Sequence, residues 1–99
     1  MRDVNQVGIG GETLLHAAAR NGDIETMRLL LSLGADANRP GDLGDTPLHS
    51  AVSSKKPEAI RMLIEHGADT TIRNELGRTA RETAVLMKRD HLLDAFDAA

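Results

Sequence analysis

The chain has 99 residues with 12 basic and 15 acidic side chains, a net charge of −3, which fits one small domain with a mixed-sign surface. No segment has the basic excess that tracks phosphates, and Phe96 is the lone aromatic, so no nucleic-acid partner is expected. The lack of cysteine excludes a disulfide framework, thiolate zinc sites and a Cys nucleophile, and apolar runs such as Leu29-Leu30-Leu31 are far too short to span a membrane.

In chain order, residues 1–12 read as extended chain and turn, punctuated by Gly8, Gly10 and Gly11. Thr13 can cap a short helix running to about Arg20. Asn21-Gly22 is a turn, and Asp23 caps a second helix, about Ile24 to Leu33. Its apolar positions Ile24, Met27, Leu30 and Leu31 share one face, and Gly34 sits where a left-handed residue would end it. A turn-rich stretch, Arg39 to Gly44, leads to Thr46 as a cap, with Pro47 at the first helical position. That helix is expected to run to about Ser53. The following connection, Ser53-Ser-Lys-Lys56, has no Asn-Gly pair. Pro57 starts the next helix, with Ile60, Leu63 and Ile64 as its buried stripe, and Gly67 ends it. Asn74-Glu-Leu-Gly77 is a turn, Thr79 a cap, and the next helix runs to about Met87. A last helix, roughly Asp90 to Ala98, is expected to bury Leu92, Leu93 and Phe96.

These elements repeat. Gly44-Asp-Thr-Pro-Leu-His49 echoes Gly11-Glu-Thr-Leu-Leu-His16, and Gly67-Ala-Asp69 echoes Gly34-Ala-Asp36, each 33 residues later. Gly77-Arg-Thr79 follows after a further 33. A fixed period of this length marks a stack of small units, none of which can bury its own apolar face. The expected units are a partial one over 1–12, then 13–45, 46–78 and a polar closing unit over 79–99.

Thr-Pro-Leu-His, the triple-leucine helix, Gly-Ala-Asp-x-Asn and the period of 33 together resemble the ankyrin repeat family. The resemblance implies an all-α solenoid of stacked helix-turn-helix units with projecting β-turn fingers. It also implies protein recognition through the finger tips and the concave face of the first helices. Asp3-Val-Asn5 resembles the end of a preceding unit, so the chain reads either as a piece of a longer array or as a protein with an abbreviated first unit. Two departures stand out. Leu14 takes the place of the family's proline, and Ala80-Arg81-Glu82 stands where Pro-Leu-His is usual, with Arg81 at a position that is normally a buried leucine. The stack is therefore expected to stop at this unit.

Carried over by offset from each Thr, the recognition positions are Ile9, Gly10 and Glu12 with Arg20 and Asn21; Asp42, Leu43 and Asp45 with Ser53 and Ser54; and Glu75, Leu76 and Arg78 with Leu86 and Met87. From these, the candidate partner-binding set is Glu12, Arg20, Asp42, Leu43, Asp45, Glu75, Leu76, Arg78, Leu86 and Met87. Leu43 and Leu76 are the most informative, since each puts an apolar side chain where a turn tip is normally polar. Charge is expected to run from Glu12, Asp42 and Asp45 to Arg73 and Arg78, a gradient that would orient a partner.

His16 and His49 occupy equivalent positions and could suggest a metal pair, but the resemblance gives them a structural role, bridging neighbouring turns. His66 and His91 are expected on the surface. No nucleophile elbow, phosphate loop or His-Glu-x-x-His helix is present, so no enzyme, cofactor or metal is expected. The start, Met1-Arg-Asp-Val-Asn5, is polar and gives no secretory leader, so the expectation is a soluble protein of the cytoplasm or nucleus. The expected function is to bind another protein. A spacer or capping segment, or a scaffold that weakly self-associates through its N-terminal end, is the alternative.

Overall fold

The computed structural model describes residues 4–8 and 11–97. Among these residues the chain is all-α. The helices are α1 (Leu14–Asn21), α2 (Ile24–Ser32), α3 (Pro47–Val52), α4 (Pro57–Glu65), α5 (Ala80–Leu86) and α6 (Leu93–Asp97). α1, α3 and α5 pack side by side as one layer, and α2, α4 and α6 as a second layer behind them. The molecule is elongated along the stack, 40 × 26 × 20 Å.

Each first helix starts on the same device. The hydroxyl of Thr13, Thr46 or Thr79 accepts from the backbone N–H three residues on, while the side chain at that third position receives the cap's own N–H. This reciprocal cap satisfies two orphan donors, and losing a capping hydroxyl typically costs about 1 kcal/mol. The second helices start differently: Asp23 caps α2 with its carboxylate, while Pro57 needs no donor at the first turn of α4. The two glycine turns after α2 and α4 take the left-handed conformation (φ 93° and 92°) that the sequence assigned to Gly34 and Gly67.

The core is one continuous seam through the stack. Leu15, Ala19, Met27, Leu48, Val52, Ile60, Leu63, Ala84, Leu92 and Phe96 are all buried in it. Ile24, Ile64 and Leu93, expected to be buried, are only half covered. They flank each stripe and pack on the rim of the core. The last helix is also shorter than expected. Asp90–Leu92 forms a single 3-10 turn after the non-helical Arg89, and α6 begins only at Leu93. The tighter turn leaves Leu92 with no exposure at all. The expected end at Ala98 lies outside the described residues.

The units are tied across their seams by polar bonds that recur every 33 residues. Asn38 Oδ1 accepts from the Asp69 N–H at 2.7 Å and its amide donates to the Gly67 carbonyl at 3.1 Å. Asn5 makes the same pair of contacts one unit earlier, to Asp36 and Gly34. The next position in this column is Thr71, whose hydroxyl turns back to Asp69 within its own unit. In the leucine column, Leu15 and Leu48 are 1% exposed, whereas Arg81 is exposed and forms a two-bond ion pair with Asp97 at 2.9 and 2.8 Å. The closing unit thus puts charge where its predecessors put core.

Candidate partner-binding surface

The fingers are short hairpins built to one plan. Gly8, Gly41 and Asn74 each donate their N–H to the carbonyl four residues on, in Glu12, Asp45 and Arg78. Gly11, Gly44 and Gly77 turn the chain with φ between 71° and 77°. The rings of His16 and His49 hold the fingers to the helices. The Thr13 N–H donates to His16 Nδ1 at 3.1 Å, so that nitrogen is an acceptor and the proton sits on Nε2. Nε2 then donates to the Asp45 carbonyl of the next finger at 2.9 Å. His49 repeats this geometry with Thr46 and the Arg78 carbonyl. Burial holds the His16 pKa below its ordinary value, with the backbone carbonyls of Asp45 and Arg39 opposing. Both rings are fully used as bridges. Glu82 takes the third position in this column. Its carboxylate keeps the cap by accepting from the Thr79 N–H at 2.9 Å and also pairs with Arg73 at 2.8 Å.

Fingers two and three are locked together. The Glu75 N–H donates to the Leu43 carbonyl at 2.9 Å, and the Asn74 amide donates to the Asp45 carboxylate at 3.0 Å. A side chain at Gly44 would come within 3.1 Å of the Glu75 nitrogen, so the fingers touch through a glycine. Leu43 itself sits at φ 57°, ψ 21°, a left-handed conformation that costs a non-glycine residue roughly 1–2 kcal/mol. Asn74 organises the third tip, where its Oδ1 accepts from both the Leu76 and Arg78 N–H groups at 3.0 Å.

Leu43 and Leu76 are both exposed at their tips, at 53% and 64%. Asp42 and Glu75 flank them in the open, and Asp45 and Arg78 are half-buried beneath. Glu12 and Arg20 are brought together as an ion pair at the first finger. Leu86 and Met87 are exposed, but at the far end of α5 from its finger, about 10 Å along the helix. The structure thus divides the expected set into a finger-tip group and a helix-end group. Asn21 and Ser53 are exposed and Ser54 is half-buried; Ile9 and Gly10 lie outside the described residues. The expected charge gradient is shallower than its residues suggest, because Arg20 neutralises Glu12 and Glu82 neutralises Arg73.

Two features were missed from sequence. Val85 is exposed, although its column-mates Ala19 and Val52 are fully buried by the unit that follows each of them. Lys55 and Lys88 adopt φ 62° and 59°, standing where Gly22 stands in the first unit. Reading the columns 22, 55 and 88 together would have flagged this. At the other end of the stack, Val4, Val7, Leu14, Ala17, Leu30 and Leu33 line an open apolar groove, with Leu14 65% and Leu33 62% exposed. Among the described residues, no group of three His, Asp or Glu converges as a metal site, and no helix is long and apolar enough to cross a membrane.

A family model described as ankyrin repeats, in three copies, matches residues 1–74. The chain belongs to the ankyrin repeat family. The match stops at Asn74, before Thr79-Ala-Arg-Glu82, where the repeat signature of this ankyrin protein gives way to charge. A search of curated proteins finds no match. Ankyrin repeats are generally non-catalytic modules of protein–protein interaction.

Proposed function

We propose that this ankyrin repeat protein binds a protein partner through its finger tips, with Leu43 and Leu76 as apolar anchors. The observation that carries the reading is the pair of exposed leucines on tips tied to one another through backbone. Such tips offer apolar area whose position is fixed before binding, so little ordering entropy is lost on contact. Asp42, Glu75 and Arg78 form a charged rim that would orient the partner, with Glu12, Arg20 and Asp45 as neighbouring polar contacts. The left-handed backbone at Leu43 fits this reading, since strained conformations cluster at functional sites.

The test is affinity capture from source lysate with the native chain and with Leu43→Asn plus Leu76→Ser. Asparagine suits the left-handed backbone, so the fold is retained. Loss of the captured proteins at an unchanged melting temperature is the expected result. Capture that survives in the double variant would remove the fingers from the site.

A second reading is favoured by the apolar groove at the N-terminal end of the stack. Two copies meeting there would cover Leu14 and Leu33, and the protein would then act as a scaffold or spacer.

A further inference from the structure

The turns that join the two helices of each unit form a second edge, at the opposite end of the first helices from the fingers. The edge is continuous. Lys56 Nζ donates to the Gly22 carbonyl at 3.0 Å, and His91 Nε2 donates to the Lys55 carbonyl at 3.0 Å. Read every 33 residues, its two columns are Gly22, Lys55, Lys88 and Asp23, Lys56, Arg89. Four cations therefore share these two columns with one acid, Asp23, while Asp90, Glu25 and Glu58 stand in the next two columns, in a chain whose net charge is −3.

None of these cations forms a salt bridge among the described residues, although Lys56 lies within electrostatic reach of Asp23. The ion pairs among the described residues join Arg20 to Glu12, Arg73 to Glu82 and Arg81 to Asp97. None of them uses Lys55, Lys56, Lys88 or Arg89. Asp23 turns its carboxylate to the backbone N–H and hydroxyl of Thr26 instead. Arg89 is half-buried, and its Nε is covered yet makes no hydrogen bond. A covered donor without an acceptor is uncommon, and an arginine fork matches a carboxylate in two parallel bonds. Immediately before Lys88 and Arg89 in sequence, Val85, Leu86 and Met87 expose a run of aliphatic surface at the C-terminal corner of the first-helix layer.

We propose that this edge binds an acidic peptide segment carrying aliphatic anchors, its carboxylates on Lys55, Lys88 and Arg89 and its apolar side chains on Leu86 and Met87. The proposal rests on the protein-binding reading and moves part of the contact from the fingers to the helix turns. Cations bordering an apolar strip complement a ligand with both features. Methionine adapts to varied apolar partners, and Met and Arg are enriched at interfaces. A nucleic-acid backbone would leave the aliphatic strip unused, and the edge has no Phe, Tyr or Trp to stack a base.

The test uses a fluorescein-labelled synthetic peptide alternating glutamate pairs with leucines, titrated by anisotropy against the full chain. A glutamine-for-glutamate peptide and phosphatidylserine vesicles serve as controls. The native chain should bind the glutamate peptide in a salt-sensitive manner, at least about tenfold more tightly than the glutamine peptide. Lys55→Gly plus Lys88→Gly should weaken binding by about tenfold. Glycine fits the left-handed backbone there, so the variant keeps its fold, checked by a melting temperature no lower than native. Leu86→Ser plus Met87→Ser should also weaken binding. Equal binding of the two peptides, or no effect of the lysine substitutions, overturns the proposal. Vesicle binding without peptide binding overturns it in favour of a membrane surface. If no peptide binds while capture by the native chain still depends on Leu43 and Leu76, this proposal falls and the finger reading stands. If the peptide binds through the turns while the finger variant captures its partners unchanged, the finger site falls and this one stands.

Discussion

Single residues carry much of the seam between units, and the left-handed positions are the most direct to test. Gly22, Lys55 and Lys88 share one backbone conformation at equivalent points, yet only the first is the residue type that adopts it at no steric cost. Lys55→Gly and Lys88→Gly should therefore each raise stability by about 1 kcal/mol, read as a higher urea midpoint at unchanged slope. His16 is the other informative residue. Protonation would place a proton on Nδ1, facing the Thr13 N–H that this nitrogen now accepts. Because burial lowers its pKa in the fold, the unfolded chain takes up the proton first as pH falls. The contribution of His16 is thus fully present above about 6.5 and is lost as pH drops through the lower folded-state value. Urea midpoints at about pH 7.5 and about pH 5.5 should differ more in the native chain than in His16→Gln.

At the scale of elements, the two kinds of helix differ in how legible they were. Thr13, Thr46 and Thr79 announce the first helices because a capping hydroxyl before an apolar run has a local cause, and all three caps are present. The spacing of Gly34 and Gly67 fixed the ends of α2 and α4 for the same reason. The finger tips were located by offset, but not their conformation. Nothing local places Leu43 in a left-handed turn; that depends on the neighbouring finger holding its carbonyl. The last helix was misjudged because Leu92, Leu93 and Phe96 suggest one stripe, whereas packing on α4 favours a 3-10 turn that seats Leu92 and Phe96 and leaves Leu93 at the rim. Phe96 is the main anchor of α6. Phe96→Ala should cost about 3 kcal/mol, measured by urea unfolding, and α6 should lose amide protection before α4 does.

For the whole molecule, stability is the sum of a few seams, and each terminal unit has a neighbour on one side only. The N-terminal end leaves Leu14 and Leu33 bare beside Val7, while the C-terminal unit carries the Arg81–Asp97 pair. The two surfaces are therefore unequal, and on the second reading proposed above two copies would meet through the groove. Sedimentation velocity over a concentration series should show a dimer for the native chain that disappears in Leu14→Glu. A monomer at every concentration would leave the groove without this role. The 33-residue period made the stacking readable from sequence, yet it could not say which edge is charged. That became visible only once Lys55, Lys88 and Arg89 were seen against the ion pairs that exclude them.

The seam bonds have a consequence for length. His16 reaches forward to Asp45, and Asn38 reaches forward to Asp69 as Asn5 does to Asp36. A duplicate of residues 13–45 spliced in after Asp45 would find a matching donor and acceptor at both junctions, because these bonds recur with the 33-residue period. A further unit stacked in register on residues 79–97 would meet Thr71, Arg81 and Glu82 in the columns of Asn38, Leu48 and His49, where the amide pair, the apolar side chain and the imidazole donor are missing. The chain is thus extensible by insertion and resistant to extension at its tail, as a zipper with a stop at one end accepts new teeth only along its run.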